Sequence, residues 1–355
     1  MSEPGGFAVS EEKNMTTLEI RALPPGEKFK TTAAIVSAKA RYDKNRRLFW
    51  EMTIMDSEGS LDSKVWSDAK WWDARSGQKT ALEPGRMDVQ GDLLNSPVGV
   101  FGTVTEFRGR PQYQFNEIYL LDEKRYPLSM FLERSPVPPE EMERELREMI
   151  EGCHDPVKSF LQKVFDGPFW GMFREAPAAV SHHHAYVHGL LEHTLAVTRG
   201  ARALAEAYNA GSFAVDMDVV TAGGLLHDIG KLDAYSLDPF PGMTVQGTVI
   251  DHIPLGYARF VKLAEEYGLE EATALAIGHI LVSHHGRREY GSPVLPATPE
   301  ALIVSSADEL DFVMYCWQAA QESPGGEPEV SEYHPSAQRR FWKRPDNRNE
   351  RERGK

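Results

Sequence analysis

Through its first third the chain alternates apolar and polar residues with a period of two. KFKTTAAIVSAKA (28–40), LFWEMTIMD (48–56) and LDSKVW (61–66) are followed by GRMDVQGDLL (85–94), VGVFGTVTEF (98–107) and PQYQFNEIYLL (111–121). Turn residues separate them, at Asp43-Lys44-Asn45, Asp56-Ser57-Glu58-Gly59-Ser60 and Arg108-Gly109-Arg110. Short runs rich in Val, Ile, Thr and aromatics, bounded by Gly and Asp turns, predict the antiparallel strands of a small barrel.

Such strands suit an OB-fold, a barrel of five, in which residues 68–84, with Trp71 and Trp72, fall where a helical or irregular crossover belongs. Pro127 and the cluster Ser135-Pro136-Val137-Pro138-Pro139 then interrupt the pattern, and the period changes to that of a helix. EEMERELREMI, PVKSFLQKVF and the stretches 188–208, 217–229, 253–267, 271–284 and 300–320 carry apolar residues three and four apart. The expected organisation is a short N-terminal segment (1–14), a β-barrel (15–125), a linker (126–139), an all-helical bundle (140–320) and a tail (321–355). The tail is polar, basic from Ser336 onward, and expected to be loosely attached. The fold class is therefore multidomain, an antiparallel barrel of OB type followed by an all-α bundle.

Composition narrows the setting. The longest apolar runs fall short of the ~20 residues a membrane span needs, and MSEPGGFAVSEEKN has neither the basic start nor the apolar stretch of a secretory signal. Only Cys153 and Cys316 are present, too few for a disulfide framework or a Cys-rich zinc site, so the expected compartment is the cytoplasm. The net charge of −14 argues against indiscriminate nucleic-acid binding. It leaves local patches free, and Arg41, Lys44, Arg46 and Arg47 crowd the first hairpin turn.

The helical half concentrates the chemistry. In order come His193 in LLEHT, His227, Asp228 and Lys231 in LLHDIGK, His252 in DHIPLG, His284 and His285 in LVSHHG, and Asp308 in SSADELD. A lone histidine on an amphipathic helix is usually a core or surface residue. Five of them with two carboxylates, on successive apolar-flanked helices, make a set of imidazole and oxygen ligands. Such a mixture suits Mn, Co, Fe, Ni or Zn better than Mg or Ca. The His-Asp doublet matters because a carboxylate has two oxygens and can bridge two ions, and two bridged ions serve phosphoryl displacement. Lys231, three residues after Asp228, is placed to hold a phosphate oxygen. Arg287 and Arg288 follow the HHG and are further candidates for a phosphate.

The array H…HD…H…HH…D resembles the signature of the HD superfamily of phosphohydrolases. HHAYVHGLLEHT (183–194), LLHDIGK (225–231), HIPLG (252–256) and SHHGRREYGSPVLP (283–296) resemble more closely the YhaM-type exoribonucleases, which join an OB-fold to an HD domain. PGRMDVQGDLL and FRGRPQYQF are similar to the barrel half of that family. One departure is His188-Gly189, where the family has Gly-Gly.

The resemblance implies that His193, His227, Asp228 and Asp308 hold one ion, and that Asp228 bridges to a second held by His252 and His284. It gives His285 the role of a further ligand or of an acid near the leaving group. It favours Asp308 over Asp311 as the closing ligand. It implies two divalent transition-metal ions, with manganese favoured, and 3′-5′ hydrolysis of single-stranded RNA, or single-stranded DNA, to nucleoside monophosphates. The barrel would grip the strand through its basic turn and through some of Tyr42, Phe49, Trp50, Phe107, Tyr113 and Phe115. Assembly into a homo-oligomer is compatible with the chain. Two other functions fit the same motifs: an HD phosphohydrolase of a small nucleotide (cyclic nucleotide or dNTP), and a non-catalytic nucleic-acid-binding protein.

Overall fold

The computed structural model describes residues 13–84, 93–107, 109–180, 184–237, 241–322 and 329–343. It divides into two compact units, Met1–Arg134 with Asp238–Phe240, and Ser135–Leu237 with Pro241–Lys355.

In the first unit β1 (Lys28–Tyr42), β2 (Leu48–Asp56), β3 (Gly59–Trp66), β6 (Pro97–Phe107) and β7 (Arg110–Leu120) form an antiparallel sheet in the order β3-β2-β1-β6-β7. A parallel contact at Ser63 and Tyr113 closes it into a five-stranded barrel. β1 reaches both halves of the barrel: Lys28–Ala34 pair with β6 and Ala34–Tyr42 with β2, the latter pairing shifting register between Ile35 and Ser37. The bulge bends a strand too long to stay straight around a small barrel. Alternation holds as expected, with Ile54, Leu61, Val65, Val98, Val100, Val104 and Ile118 all buried inside.

The expected crossover at 68–84 is instead a hairpin of β4 (Lys70–Asp73) and β5 (Thr80–Leu82), with β4 running parallel to β7. Trp71 is the cause. It is buried against Trp50, ring centroids 5.9 Å apart, and an indole anchored in the core commits its neighbours to an extended backbone that β7 can pair. The expected strand at 85–94 lies largely outside the described residues, and within it Leu93 is helical and buried.

The second unit is helical. Pro139–Glu151, Val157–Phe165, Gly189–Asn209, Met217–Leu226, His252–Tyr267, Glu271–Ser283 and Pro299–Glu322 follow the expected periodicity, and short helices at Trp170–Glu175, Lys231–Ala234 and Val245–Ile250 lie between them. Their apolar faces share one core, including Leu146, Phe165, Leu190, Leu195, Val220, Leu225, Ile280 and Val304. Among the described residues no helix is long and apolar enough to cross a membrane.

The tail departs from expectation. Residues 329–343 return onto the last helix: Val330 bridges Trp342, His334 bridges Arg339, and Ala337 and Phe341 are buried with Cys316 and Ala320. Two apolar residues in a polar stretch suffice to fix it, because the bridges satisfy its backbone locally.

Candidate functional site

Each of the five candidate histidines is set by where its Nδ1 hydrogen goes. His227 donates Nδ1–H to the carbonyl of Gly224 at 2.8 Å, His284 to that of Leu281 at 2.8 Å, and His285 to that of Tyr290 at 2.6 Å. A carbonyl only accepts, so in all three rings the Nε2 lone pair is left for something else. His193 and His252 direct Nδ1 to carboxylates, Asp311 at 2.8 Å and Asp251 at 2.6 Å. Five imidazoles thus present Nε2 in the same sense, the arrangement by which neighbouring groups orient metal-binding histidines.

Those nitrogens converge on Asp228, itself buried at the end of Met217–Leu226. Its Oδ2 lies 3.2 Å from His193 Nε2 and 3.3 Å from His227 Nε2, and Asp308 Oδ1 lies 3.3 Å from His193 Nε2. Its Oδ1 lies 3.5 Å from the Nε2 of both His252 and His284. His285 completes a second cluster with His252 and His284, its ring centroid 4.4 Å from that of His284. One carboxylate therefore faces a different imidazole group with each oxygen.

The donor set fits a divalent metal ion. Asp228 Oδ1, His252 Nε2 and His284 Nε2 are buried with no hydrogen-bond partner, a costly condition unless a cation satisfies them. The Nε2 atoms of His193 and His227 stand 3.2 Å apart, both turned inward. Two facing lone pairs at that distance need a proton or a metal between them.

The electrostatics agree. Burial would raise the carboxyl of Asp228, but Lys231 and His227 hold it well below the usual range. Asp308 is likewise held low against its burial by His193 and His227. Burial opposes a charge on His193 too, yet Asp228, Asp308 and Asp311 outweigh it and hold the imidazole well above its ordinary value. His284, buried and facing His285, is pushed down to about 4 and stays neutral, as a ligand requires.

Local backbone fixes the two clusters. Gly230 allows the chain after Asp228 to touch the start of His252–Tyr267. A Cβ there would stand 2.0 Å from the carbonyl oxygen of His252 and 2.3 Å from the nitrogen of Gly256. Asp251 caps that helix by accepting from the His252 amide, and it also holds the His252 ring. His188 accounts for the departure from Gly-Gly: it adopts φ 70°, a glycine-like conformation, and its Nδ1 bonds to the Arg174 carbonyl at 2.6 Å, away from the cluster.

Lys231 is buried, with Nζ 2.6 Å from Asp228 Oδ2. It borders a cavity of about 550 Å³ that also meets His252, His284, His285, Asp308 and Arg287. Arg288 is exposed and does not line that cavity. Asp311 stands behind His193, and His184 Nε2 lies 3.4 Å from Asp311 Oδ2 while its Nδ1 meets the Tyr186 hydroxyl at 2.7 Å. This supporting layer was not readable as such from spacing, because only the fold decides which ring nitrogen meets which partner. His182 and His183 lie outside the described residues.

On the barrel the basic turn is partly spent. Arg41 pairs with Glu51 at 3.2 Å, and Arg47 pairs with Asp68 at 2.7 Å while lying over Trp66; Lys44 and Arg46 are exposed. A groove of about 660 Å³ opens elsewhere on the barrel, lined by Arg21, Lys39, Lys64 and Tyr113 among others. Of the aromatics considered for stacking, Phe49, Trp50 and Phe115 are core; Tyr42 and Phe107 are exposed and Tyr113 lines the groove.

Residues 190–313 match the family described as HD domain, a span that contains all seven converging residues from His193 to Asp308. The helical unit carries an HD domain. The chain is 29% identical over 302 residues, 84% of its length and 88% of the relative's, to a protein of Bacillus subtilis (strain 168) named 3'-5' exoribonuclease YhaM. A protein of the same name from Listeria welshimeri is 28% identical over 305 residues, again 84% of this chain and 88% of that one. A solution structure of the second OB-fold domain of replication protein A from Methanococcus maripaludis covers 28% of the chain at 17% identity and TM-score 0.20.

Proposed function

We propose that this chain is a metal-dependent 3′-5′ exonuclease that hydrolyses phosphodiester bonds of single-stranded RNA, and of single-stranded DNA, releasing nucleoside monophosphates. The observation that carries the proposal is Asp228, whose two oxygens each face a separate group of inward-turned imidazoles at the edge of a cavity. The likeness to proteins named 3'-5' exoribonuclease supports the direction and the substrate.

His193, His227, Asp228 and Asp308 would hold one ion, and Asp228, His252, His284 and His285 the other. The imidazole-rich donors favour two divalent transition metals over magnesium or calcium, and among manganese, cobalt, iron, nickel and zinc the family resemblance favours manganese. Bound there, such ions would supply Lewis-acid activation of a water nucleophile. The chain's own residues do the rest. Buried Asp308 and Asp228 are ionised ligands without having to shed a proton. Lys231, whose charge is kept by Asp228 against its burial, places a fixed cation beside the reacting phosphate. Arg287 adds a second cation at the same cavity. His285 is lowered by its burial and offers a neutral Nε2, either as a ligand or, once protonated, to the departing oxygen. The barrel grips the strand.

Timed digestion of end-labelled strands with manganese, cobalt, magnesium or chelator tests this. A 5′-labelled strand should shorten as a ladder, a 3′-labelled strand should release mononucleotide from the start, and a blocked 3′ end should slow both. Cleavage of a circular single strand would remove the exonuclease reading.

A further inference from the structure

The wall of the catalytic cavity is not made by the HD helices alone. Ser336, Ala337, Gln338 and Arg339, from the C-terminal segment, line the same cavity as His252, His284, His285 and Asp308. Their presence there is set by the last helix. Asp308, Phe312, Cys316 and Ala320 recur every four residues and so share one face. Asp308 at the start of that stripe belongs to the metal centre. Cys316 and Ala320 at its end are buried against Ala337 and Phe341, and Phe312 packs on the same cluster. A single rigid helix face therefore registers the returning segment against the ligands.

The segment is built to hold that position. Ser331 and Phe341 exchange two hydrogen bonds, Ser331 N–H to the Phe341 carbonyl and Phe341 N–H to Ser331 Oγ, each 2.9 Å. Lys343 N–H donates to the Glu329 carbonyl at 2.7 Å and His334 N–H to that of Arg339 at 2.9 Å. Between His334 and Arg339 the chain turns tightly, with Gln338 at φ 51° and the Arg339 guanidinium Nε donating to the Ala337 carbonyl at 2.9 Å. A non-glycine residue in this conformation carries a local cost that the surrounding bonds must offset. The turn brings an arginine to a cavity whose other cations are Lys231, committed to Asp228, and Arg287.

We propose that residues 329–343 form part of the substrate pocket, with Arg339 holding a phosphate of the strand's terminal nucleotides and with Ala337, Phe312 and Val313 giving the terminal base an apolar wall. The inference rests on the exonuclease reading and deepens it. An acidic chain must recruit a polyanion to a centre containing Asp308 and Glu309. A guanidinium placed across the cavity offers a phosphate two parallel donors where an ammonium offers a point charge. At about 550 Å³ the cavity is within the range that encloses one small ligand, as a pocket taking a single nucleotide at a time requires.

The test uses the full-length, metal-loaded protein. KM and kcat on a single-stranded oligonucleotide, and the inhibition constant of a nucleoside 5′-monophosphate, are compared for wild type, Arg339→Ala, Arg339→Lys and Arg340→Ala. The monophosphate reads the pocket without itself being turned over. Losing one charge-assisted contact should raise KM and the inhibition constant of Arg339→Ala about tenfold while kcat stays within about threefold. Arg339→Lys should recover part of the loss, and Arg340→Ala, exposed and outside the cavity, should match wild type. An active wild type with Arg339→Ala unchanged in both constants, or altered in kcat alone, overturns the role of the segment and leaves the exonuclease reading standing. A wild type that degrades no strand takes both down.

Discussion

His193 Nδ1 lies 2.8 Å from Asp311 Oδ2, while its Nε2 meets Asp228 and Asp308 at 3.2 and 3.3 Å. Asp311 thus fixes the tautomer of a proposed ligand without being one of the proposed ligands itself. Asp311→Asn should keep the fold and weaken metal affinity about 10–100-fold, the usual cost of losing such a support. Metal content by elemental analysis after dialysis checks it; a variant that retains metal like wild type would show that Asp311 does not orient the ring.

Asp228, the proposed bridging ligand, is also the partner of buried Lys231, 2.6 Å away. Removing it alone leaves an unpaired buried ammonium, a loss of about 3–5 kcal/mol for a buried pair broken on one side. Asp228→Asn should therefore lose activity by several orders of magnitude and also lower the melting temperature. Asp228→Asn combined with Lys231→Met should regain stability and no activity. If the double variant is no more stable than the single one, the two effects do not share this pair.

Metal binding should release protons. In the metal-free protein His193 is held well above its ordinary pKa, so near neutrality it carries a proton that an ion must displace. His284, at about 4, is already neutral and adds no such dependence above about pH 5. Affinity for manganese should therefore rise from about pH 6 to about pH 8 as the displaced proton becomes easier to lose. Calorimetry in buffers of different ionisation enthalpy reads the proton count directly; pH-independent affinity with no proton release would contradict it.

On the barrel, the groove of Arg21, Lys39, Lys64 and Tyr113 competes with the turn at 41–47 as the grip on single strands. Because Arg41 and Arg47 are already paired, Lys39→Glu with Lys64→Glu should weaken binding of a long strand and flatten its salt dependence more than Lys44→Ala with Arg46→Ala. Fluorescence anisotropy across a salt series decides. A larger effect from the turn variant would return the grip to the turn.

What was legible in the sequence follows its physics. The barrel strands declare themselves because every second residue of β2, β3 and β6 must enter one core. The histidine and aspartate series stood out as a candidate site because its members lie within or directly beside apolar helices. The β4–β5 hairpin was not, since Trp71 and Trp72 in a stretch of Asp, Lys and Gly say nothing of the β7 strand that pairs them. Nor were the partners of the imidazole Nδ1 atoms: Gly224, Leu281 and Tyr290 offer backbone carbonyls, which no side-chain pattern records. The C-terminal segment misled because its composition is that of a solvated tail, while among its described residues the buried apolar anchors are just Ala337 and Phe341.

Gly230 has a bearing beyond the turn it permits. The backbone beside Asp228 rests directly on that of His252 and Gly256, so the gauge between the two imidazole groups is a main-chain length. Substitutions that enlarge or shrink the surrounding helical core alter its volume but leave that gauge alone. Even the smallest side chain at position 230 would act as a shim, spreading the two groups apart while every ligand remained in place.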